Sequence, residues 1–230
     1  MAGATLPPIL RSAWPTVSPE LPRHTFVCVD VASRWIPLGD TPVERLRTWL
    51  EADRPAVAAR LQGDEPSGFL RLGVALPLST GKQRLSFAAP RSAIKHVRGT
   101  LTLSEIVDAC PASWQRDVRS LLAIAHAIAL EARVYGSFAW QALTGDLYVS
   151  PASDIDLVWR PCSTGQFDAL TDALLRWERS TSRRADGEVV LPSGDAVCWR
   201  ELSSESTRVL VKSGSSVALR ARSDCLAALA

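Results

Sequence analysis

Apolar and polar residues change their spacing several times along the chain, and each change predicts an element. Residues 24–31, His-Thr-Phe-Val-Cys-Val-Asp-Val, read as a strand rich in β-branched and aromatic side chains. Residues 42–59 alternate apolar and charged positions at helical spacing, and Pro55 breaks that run in two. Residues 69–78 and 83–88 read as strands joined by a turn at Ser79-Thr-Gly-Lys82. After a break at Pro111 the pattern predicts a long helix over 114–131. Residues 133–135 form a short strand, 138–143 a helix stopped at Gly145, and 154–158 an alternating strand. Phe167, Leu170, Leu174 and Trp177 recur as the buried stripe of a helix over 167–179. Residues 188–191 and 196–200 read as a hairpin turning at Pro192-Ser-Gly-Asp195, and 208–212 as a further strand. The last segment, from Val217, reads as a closing strand and helix.

The densest chemistry lies between Arg133 and Trp159. There a strand runs into Gly136-Ser137, a helix follows, and a second strand carries Asp154 and Asp156. Gly136 lets the backbone approach a phosphate closely. Ser137 opens a helix whose free N–H groups and positive dipole end suit an anion. Asp154 and Asp156 sit two apart, so on a strand they point to one face. Two hard oxygen ligands suit magnesium, which commonly takes one or two carboxylates plus substrate phosphates. Each half alone has an ordinary explanation: a Gly-Ser pair is a turn and cap, and alternating aspartates can line a solvated sheet face. Their combination in this order, flanked by apolar residues, specifies a site for a nucleotide polyphosphate and a metal.

With these residues the chain resembles the nucleotidyltransferase superfamily, marked by a Gly-Ser turn followed by an Asp-x-Asp strand. Within it, Arg133-Val-Tyr-Gly-Ser-Phe-Ala-Trp-Gln-Ala-Leu-Thr-Gly145 and Ser153-Asp-Ile-Asp-Leu157 resemble the malonate decarboxylase holo-acyl-carrier-protein synthases, or phosphoribosyl-dephospho-CoA transferases. Leu72-Gly-Val-Ala-Leu-Pro77, Gly81-Lys-Gln-Arg84, Asp186-Gly-Glu188 and Ala196-Val-Cys-Trp-Arg-Glu201 agree, so the resemblance covers about Leu72 to Glu201. It implies an α+β fold: a nucleotidyltransferase-like mixed sheet with flanking helices in the C-terminal half, and a smaller α/β N-terminal domain. The implied reaction uses a triphosphoribosyl-dephospho-CoA donor. A serine of the apo acyl carrier subunit of malonate decarboxylase attacks the phosphorus nearest the ribose, and pyrophosphate leaves. Asp154 and Asp156 would hold Mg2+, and Gly136 and Ser137 the departing phosphates. The competing readings are a nucleotidyltransferase with another protein or small-molecule acceptor, and a non-catalytic nucleotide-binding domain, which the intact aspartate pair disfavours.

Members of the superfamily often add a third acid from a later strand. Glu188 is the expected residue, Asp186 the second choice, and Asp195 a turn residue. Lys82 and Arg84 are candidate cations for the phosphates or the dephospho-CoA moiety. They do not belong to a P-loop: the glycine that motif requires at position 76 is Leu76, and Gln83 stands where it needs Ser or Thr. Most of Trp140, Trp159, Trp177 and Trp199 are expected in the core, with one of them a candidate lining for an adenine pocket; Trp140 and Leu143 are expected on the packed face of their helix and Gln141 and Thr144 toward water.

Composition narrows the class without choosing the chemistry. The 230 residues suffice for one large or two small domains, and 47% hydrophobic with 22% charged residues fits a globular enzyme. The expected division is an arm over 1–22, an N-terminal α/β domain over 23–115 for acceptor or donor recognition, and a catalytic domain over 116–230. A net charge of +2 gives no argument for nucleic acid. No stretch approaches the roughly 20 apolar residues that span a bilayer, and the Pro-rich start lacks signal-peptide order. Five scattered cysteines include no Cys-x-x-Cys pair, which points to reduced thiols in a cytoplasm. His24, His96 and His126 lack metal-ligand spacing.

Overall fold

A computed structural model describes residues 21–214 and 216–229. The arm expected over 1–22 therefore lies outside the described residues, apart from Leu21 and Pro22, as does Ala230 of the closing segment. The described residues divide into two compact units: those up to Thr100 together with Trp140–Tyr148, and Leu101–Ala139 together with those from Val149 onward. The division expected at 115/116 falls inside a helix, because the strand at Leu101 already pairs within the second unit.

The first unit is built on six strands: β1 (Phe26–Val29), β2 (Ile36–Leu38), β3 (Ala56–Ala58), β4 (Phe69–Ala75), β5 (Arg84–Pro90) and β6 (Ile94–Arg98). They form one sheet in the order β2-β5-β4-β3-β1-β6, with every pairing antiparallel. Helix α1 (Val43–Glu51) buries Leu46, Trp49 and Leu50. Pro55 breaks the helical run as expected: α1 stops at Glu51 and β3 begins at Ala56. The Pro55 carbonyl accepts the Trp49 indole N–H at 2.9 Å, so the break also satisfies a buried donor. Trp140 and Tyr148 complete this core, with the Trp140 ring edge-on to Phe26 at 5.2 Å and stacked on Tyr148 at 6.1 Å.

The second unit carries β7 (Leu101–Thr102), α2 (Leu103–Ile106), α3 (Ala112–Ala127), β8 (Arg133–Tyr135), α4 (Gly136–Thr144), β9 (Ile155–Trp159), α5 (Thr164–Thr181), β10 (Ala185–Val190), β11 (Ala196–Cys198), α6 (Trp199–Ser203), β12 (Arg208–Lys212), β13 (Val217–Ala221) and α7 (Arg222–Ala227). Residues from Trp140 onward in α4 belong to the first unit. The sheet order is β13-β12-β11-β10-β9-β8-β7. Only β9 and β10 run parallel, because α5 carries the chain back across between them. The mixed sheet with flanking helices is the α+β architecture expected.

Helices α3 and α5 lock together at one end. The Trp177 indole N–H donates to the Asp117 carbonyl at 3.1 Å and the Ser120 hydroxyl at 2.9 Å. The Arg183 guanidinium pairs with Asp117 at 3.0 Å and lies 4.1 Å over the Trp114 ring. These bonds fix where the chain leaves α5 and enters β10, and so the register of β10 on β9. Trp140, Trp159, Trp177 and Trp199 are all buried. All five cysteines are free; burial pushes the Cys28 and Cys110 thiols up to about 12, so both stay protonated near neutrality.

Candidate functional site

The site begins where β8 ends. Gly136 takes φ +63°, a left-handed conformation that favours glycine, and the chain turns there into α4. A Cβ on Gly136 would run into the Asp156 side chain, 2.8 Å from its carboxyl carbon and 3.2 Å from its Cβ. The carboxylate of Asp156 thus packs over the start of α4, in space only glycine leaves open. Register explains the approach, because Tyr135 pairs with Asp156 between β8 and β9. Ser137 is half-buried in the first turn, among N–H groups without intrahelical acceptors.

Alternation along β9 buries Ile155, Leu157 and Trp159 on one side and leaves Asp156 half-buried on the other. Asp154 immediately precedes the strand and pairs with Arg184 at 3.5 Å. On the parallel neighbour, Asp186 is the direct partner of Asp156, and Glu188 is the partner of Val158. Directly opposed residues share a face, so Asp156 and Asp186 stand side by side. Glu188 lies on that face too, two residues further on. It is 5% exposed, and its Oε1 accepts a hydrogen bond from Lys212 Nζ at 2.9 Å.

Between these acids lies a residue that sequence reasoning missed. Gly187 has φ +133°, and a Cβ there would meet the Leu157 backbone, 2.7 Å from both its carbonyl carbon and its nitrogen. Its absent side chain lets β10 close on β9 and hold Asp186 level with Asp156. The Asp-Gly-Glu order was the available signal, since a glycine inside a strand marks close backbone approach.

Among the described residues, no group of three or more His, Cys, Asp or Glu side chains is gathered to hold a metal ion alone. The donor set fits magnesium in the manner of a substrate-completed site: carboxylates on neighbouring strands of one sheet face, beside a helix start able to receive phosphate. Cavities of about 580 Å3 in the first unit and about 460 Å3 in the second are not lined by Asp154, Asp156 or Asp186. Lys82 and Arg84 are exposed on the β4–β5 hairpin of the first unit. Gln141 and Thr144, expected toward water, instead tie down the loop after α4. Gln141 accepts the Tyr148 N–H at 3.2 Å, and the Thr144 hydroxyl accepts the Asp146 N–H at 3.2 Å while donating to the Trp140 carbonyl within the helix at 2.8 Å.

Fold and site define a two-unit mixed α/β protein whose second unit sets a glycine-started helix against a strand carboxylate. Residues 22–99 match the phosphoribosyl-dephospho-CoA transferase MdcG N-terminal domain, and residues 101–223 match the C-terminal domain of the same family. The chain belongs to the phosphoribosyl-dephospho-CoA transferase family and is a transferase. It is similar to the phosphoribosyl-dephospho-CoA transferase of Xanthomonas campestris pv. campestris (strain 8004), with 44% identity over 192 residues covering 83% of this chain and 89% of the relative. The transferase of Xanthomonas axonopodis pv. citri (strain 306) is 44% identical over 191 residues, covering 83% and 90%. That of Bradyrhizobium diazoefficiens is 33% identical over 196 residues, covering 83% and 86%. No solved structure matches the chain.

Proposed function

We propose that the protein transfers the phosphoribosyl-dephospho-CoA group from its triphosphate donor to a serine of the apo acyl carrier subunit of malonate decarboxylase, releasing pyrophosphate, in the manner of a nucleotidyltransferase. The observation that carries this reading is the apposition of Gly136 and Asp156, which joins a phosphate-receiving helix start to a carboxylate in one site. Family membership supplies the donor group. The bilayer plays no part in the proposal: no described helix is long and apolar enough to cross a membrane. A cytoplasmic setting suits the acceptor.

Asp154 and Asp156 would hold magnesium, and the N–H groups at the start of α4, with the Ser137 hydroxyl, would bind the donor phosphates. A bound magnesium ion supplies neutralisation of charge on the phosphate oxygens. Asp186, registered beside Asp156, is the third carboxylate and takes the proton of the attacking serine. The serine oxygen forms a bond to the phosphorus nearest the ribose as the bond to the pyrophosphate oxygen breaks. Positioning and charge stabilisation supply most of the acceleration, as in phosphoryl transfers generally. Glu188, the third acid expected from sequence, pairs with Val158 and bonds Lys212. Lys82 and Arg84 would add positive charge for the phosphates or the dephospho-CoA moiety.

The test is mass spectrometry of the apo carrier after incubation with donor and Mg2+, with and without the protein. A gain equal to the donor minus pyrophosphate establishes the reaction. Binding of the donor without a gain assigns the protein another acceptor.

A further inference from the structure

Resting on the transferase reading above, we propose that Lys212 is a phosphate-binding residue for the pyrophosphate end of the donor, and that Glu188 is the positioning residue that aims it.

Lys212 ends β12, two strands from β10. It pairs with Ala196 on β11, and Ala196 pairs with Val190 on β10. Directly paired residues share a face, so Lys212 emerges on the face that carries Glu188, Asp186 and Asp156. Its ammonium does not stay level with Val190. It reaches across the small Ala196 side chain to Glu188, two residues along β10 toward Asp186. Two strand residues span about 6.6 Å, so this lean carries the charge about that far toward the row formed by Asp186 and Asp156 and leaves about the same distance to it along β10.

The pair is asymmetrically buried. The Glu188 side chain is 6% exposed and that of Lys212 33%, so the acid is enclosed while the base opens to solvent. An ammonium has three donors, and the bond to Glu188 uses one. Enclosing an ion pair is a poor means of gaining stability, because desolvation consumes the attraction. A lysine fixed at one edge of a carboxylate face has a further use. The face attracts a divalent cation, and the polyphosphate accompanying it has oxygens beyond the metal's reach. A leaving pyrophosphate requires a cation on that side. The partner Glu188 removes the rotamer freedom that a lysine would otherwise lose on binding.

The experiment compares Lys212→Ala, Lys212→Arg, Glu188→Gln and the double variant Glu188→Leu with Lys212→Met. The double variant keeps the packing without an unpaired buried charge. Calorimetric titration with pyrophosphate in Mg2+ is read beside KM and kcat for carrier loading, the apparent Mg2+ constant and the melting temperature. The expected result is a loss of pyrophosphate affinity of about 10- to 100-fold in Lys212→Ala and the double variant, the scale of a lost charge-assisted hydrogen bond. KM for the donor rises more than kcat falls, the Mg2+ constant stays, Lys212→Arg recovers most of the affinity, and Glu188→Gln is intermediate. Wild-type pyrophosphate affinity in a double variant that melts like the parent overturns the proposal and makes the pair structural. Lys212-dependent pyrophosphate binding by a wild-type protein that loads no carrier supports the subsite and removes the assigned acceptor.

Discussion

Gly136 and Asp156 share a single packing volume: the carboxylate of the strand residue occupies the place a side chain on the helix-starting residue would take. The helix start and the acid are therefore set by one contact, and neither can shift without the other. Gly136→Ala is expected to destabilise the protein by about 1–2 kcal/mol through the left-handed backbone alone. It should also displace Asp156 and lower carrier loading more than the lost stability explains. Thermal melts beside loading rates at a temperature where the variant is folded separate the two effects. Parental loading by a folded variant would dissociate the helix start from the chemistry.

The aspartates on and just before β9 should behave differently. Asp156 is half-buried on the strand and Asp154 half-buried immediately before it, neither in the core, so their amides fit the same space. Asp156→Asn and Asp154→Asn are expected to keep the melting temperature within a few degrees and to lower kcat/KM about 10³-fold or more, equivalent to about 4 kcal/mol of transition-state stabilisation. A chelator should stop the parent protein, and added Mg2+ should restore it. Near-normal rates in either variant at saturating Mg2+ would remove that residue from the metal site.

Asp186 and Glu188 lie two apart on one strand, and their amides should fail in separate ways. Asp186→Asn is expected to lower kcat about 10²- to 10⁴-fold, the usual worth of a positioned general base. Glu188→Gln should act mainly on donor affinity, because its carboxylate bonds Lys212. Deep kcat loss in Glu188→Gln with a mild effect of Asp186→Asn would exchange their roles.

Which parts of this were legible follows from how far apart the cooperating residues lie. Asp156 declares its face through alternation with Ile155 and Leu157, and Gly145 declares the end of α4, donating its N–H to the Gln141 carbonyl at 2.9 Å. Both are local patterns. The pairing of Asp186 with Asp156 is not local, because the 18-residue helix α5 intervenes and only tertiary packing sets where the returning strand docks. Local alternation suits Glu188 and Asp186 equally, and the contact that distinguishes them, the bond from Lys212 to Glu188, spans 24 positions. The strand expected over 196–200 takes in the first two residues of helix α6, because Trp199 also suits a buried strand position. Its short run offers too few turns for a helical period to show.

Away from the site, one carboxylate ties the acid stability of the first unit to a named contact. Glu65, in the loop before β4, bonds Arg71 at 2.6 Å and accepts backbone N–H groups from Gln62 and Gly63 at 3.1 and 2.9 Å. Burial alone would push its carboxyl up, but the Arg71 bond and the backbone donors outweigh it and hold the group down from 4.5 to about 2. A carboxyl lowered by folding adds stability that is complete above its unfolded value and disappears as pH falls through its folded value. The contribution should therefore be fully present above about pH 5 and vanish between 4.5 and about 2. Glu65→Gln should melt below the parent at pH 7, and the gap should close across that window as the parent's carboxylate becomes protonated. Melting curves of both proteins from pH 7 to pH 2 measure the gap directly. A gap that stays constant down to pH 2 would mean the anchor works through packing and hydrogen-bond geometry rather than through charge on Glu65.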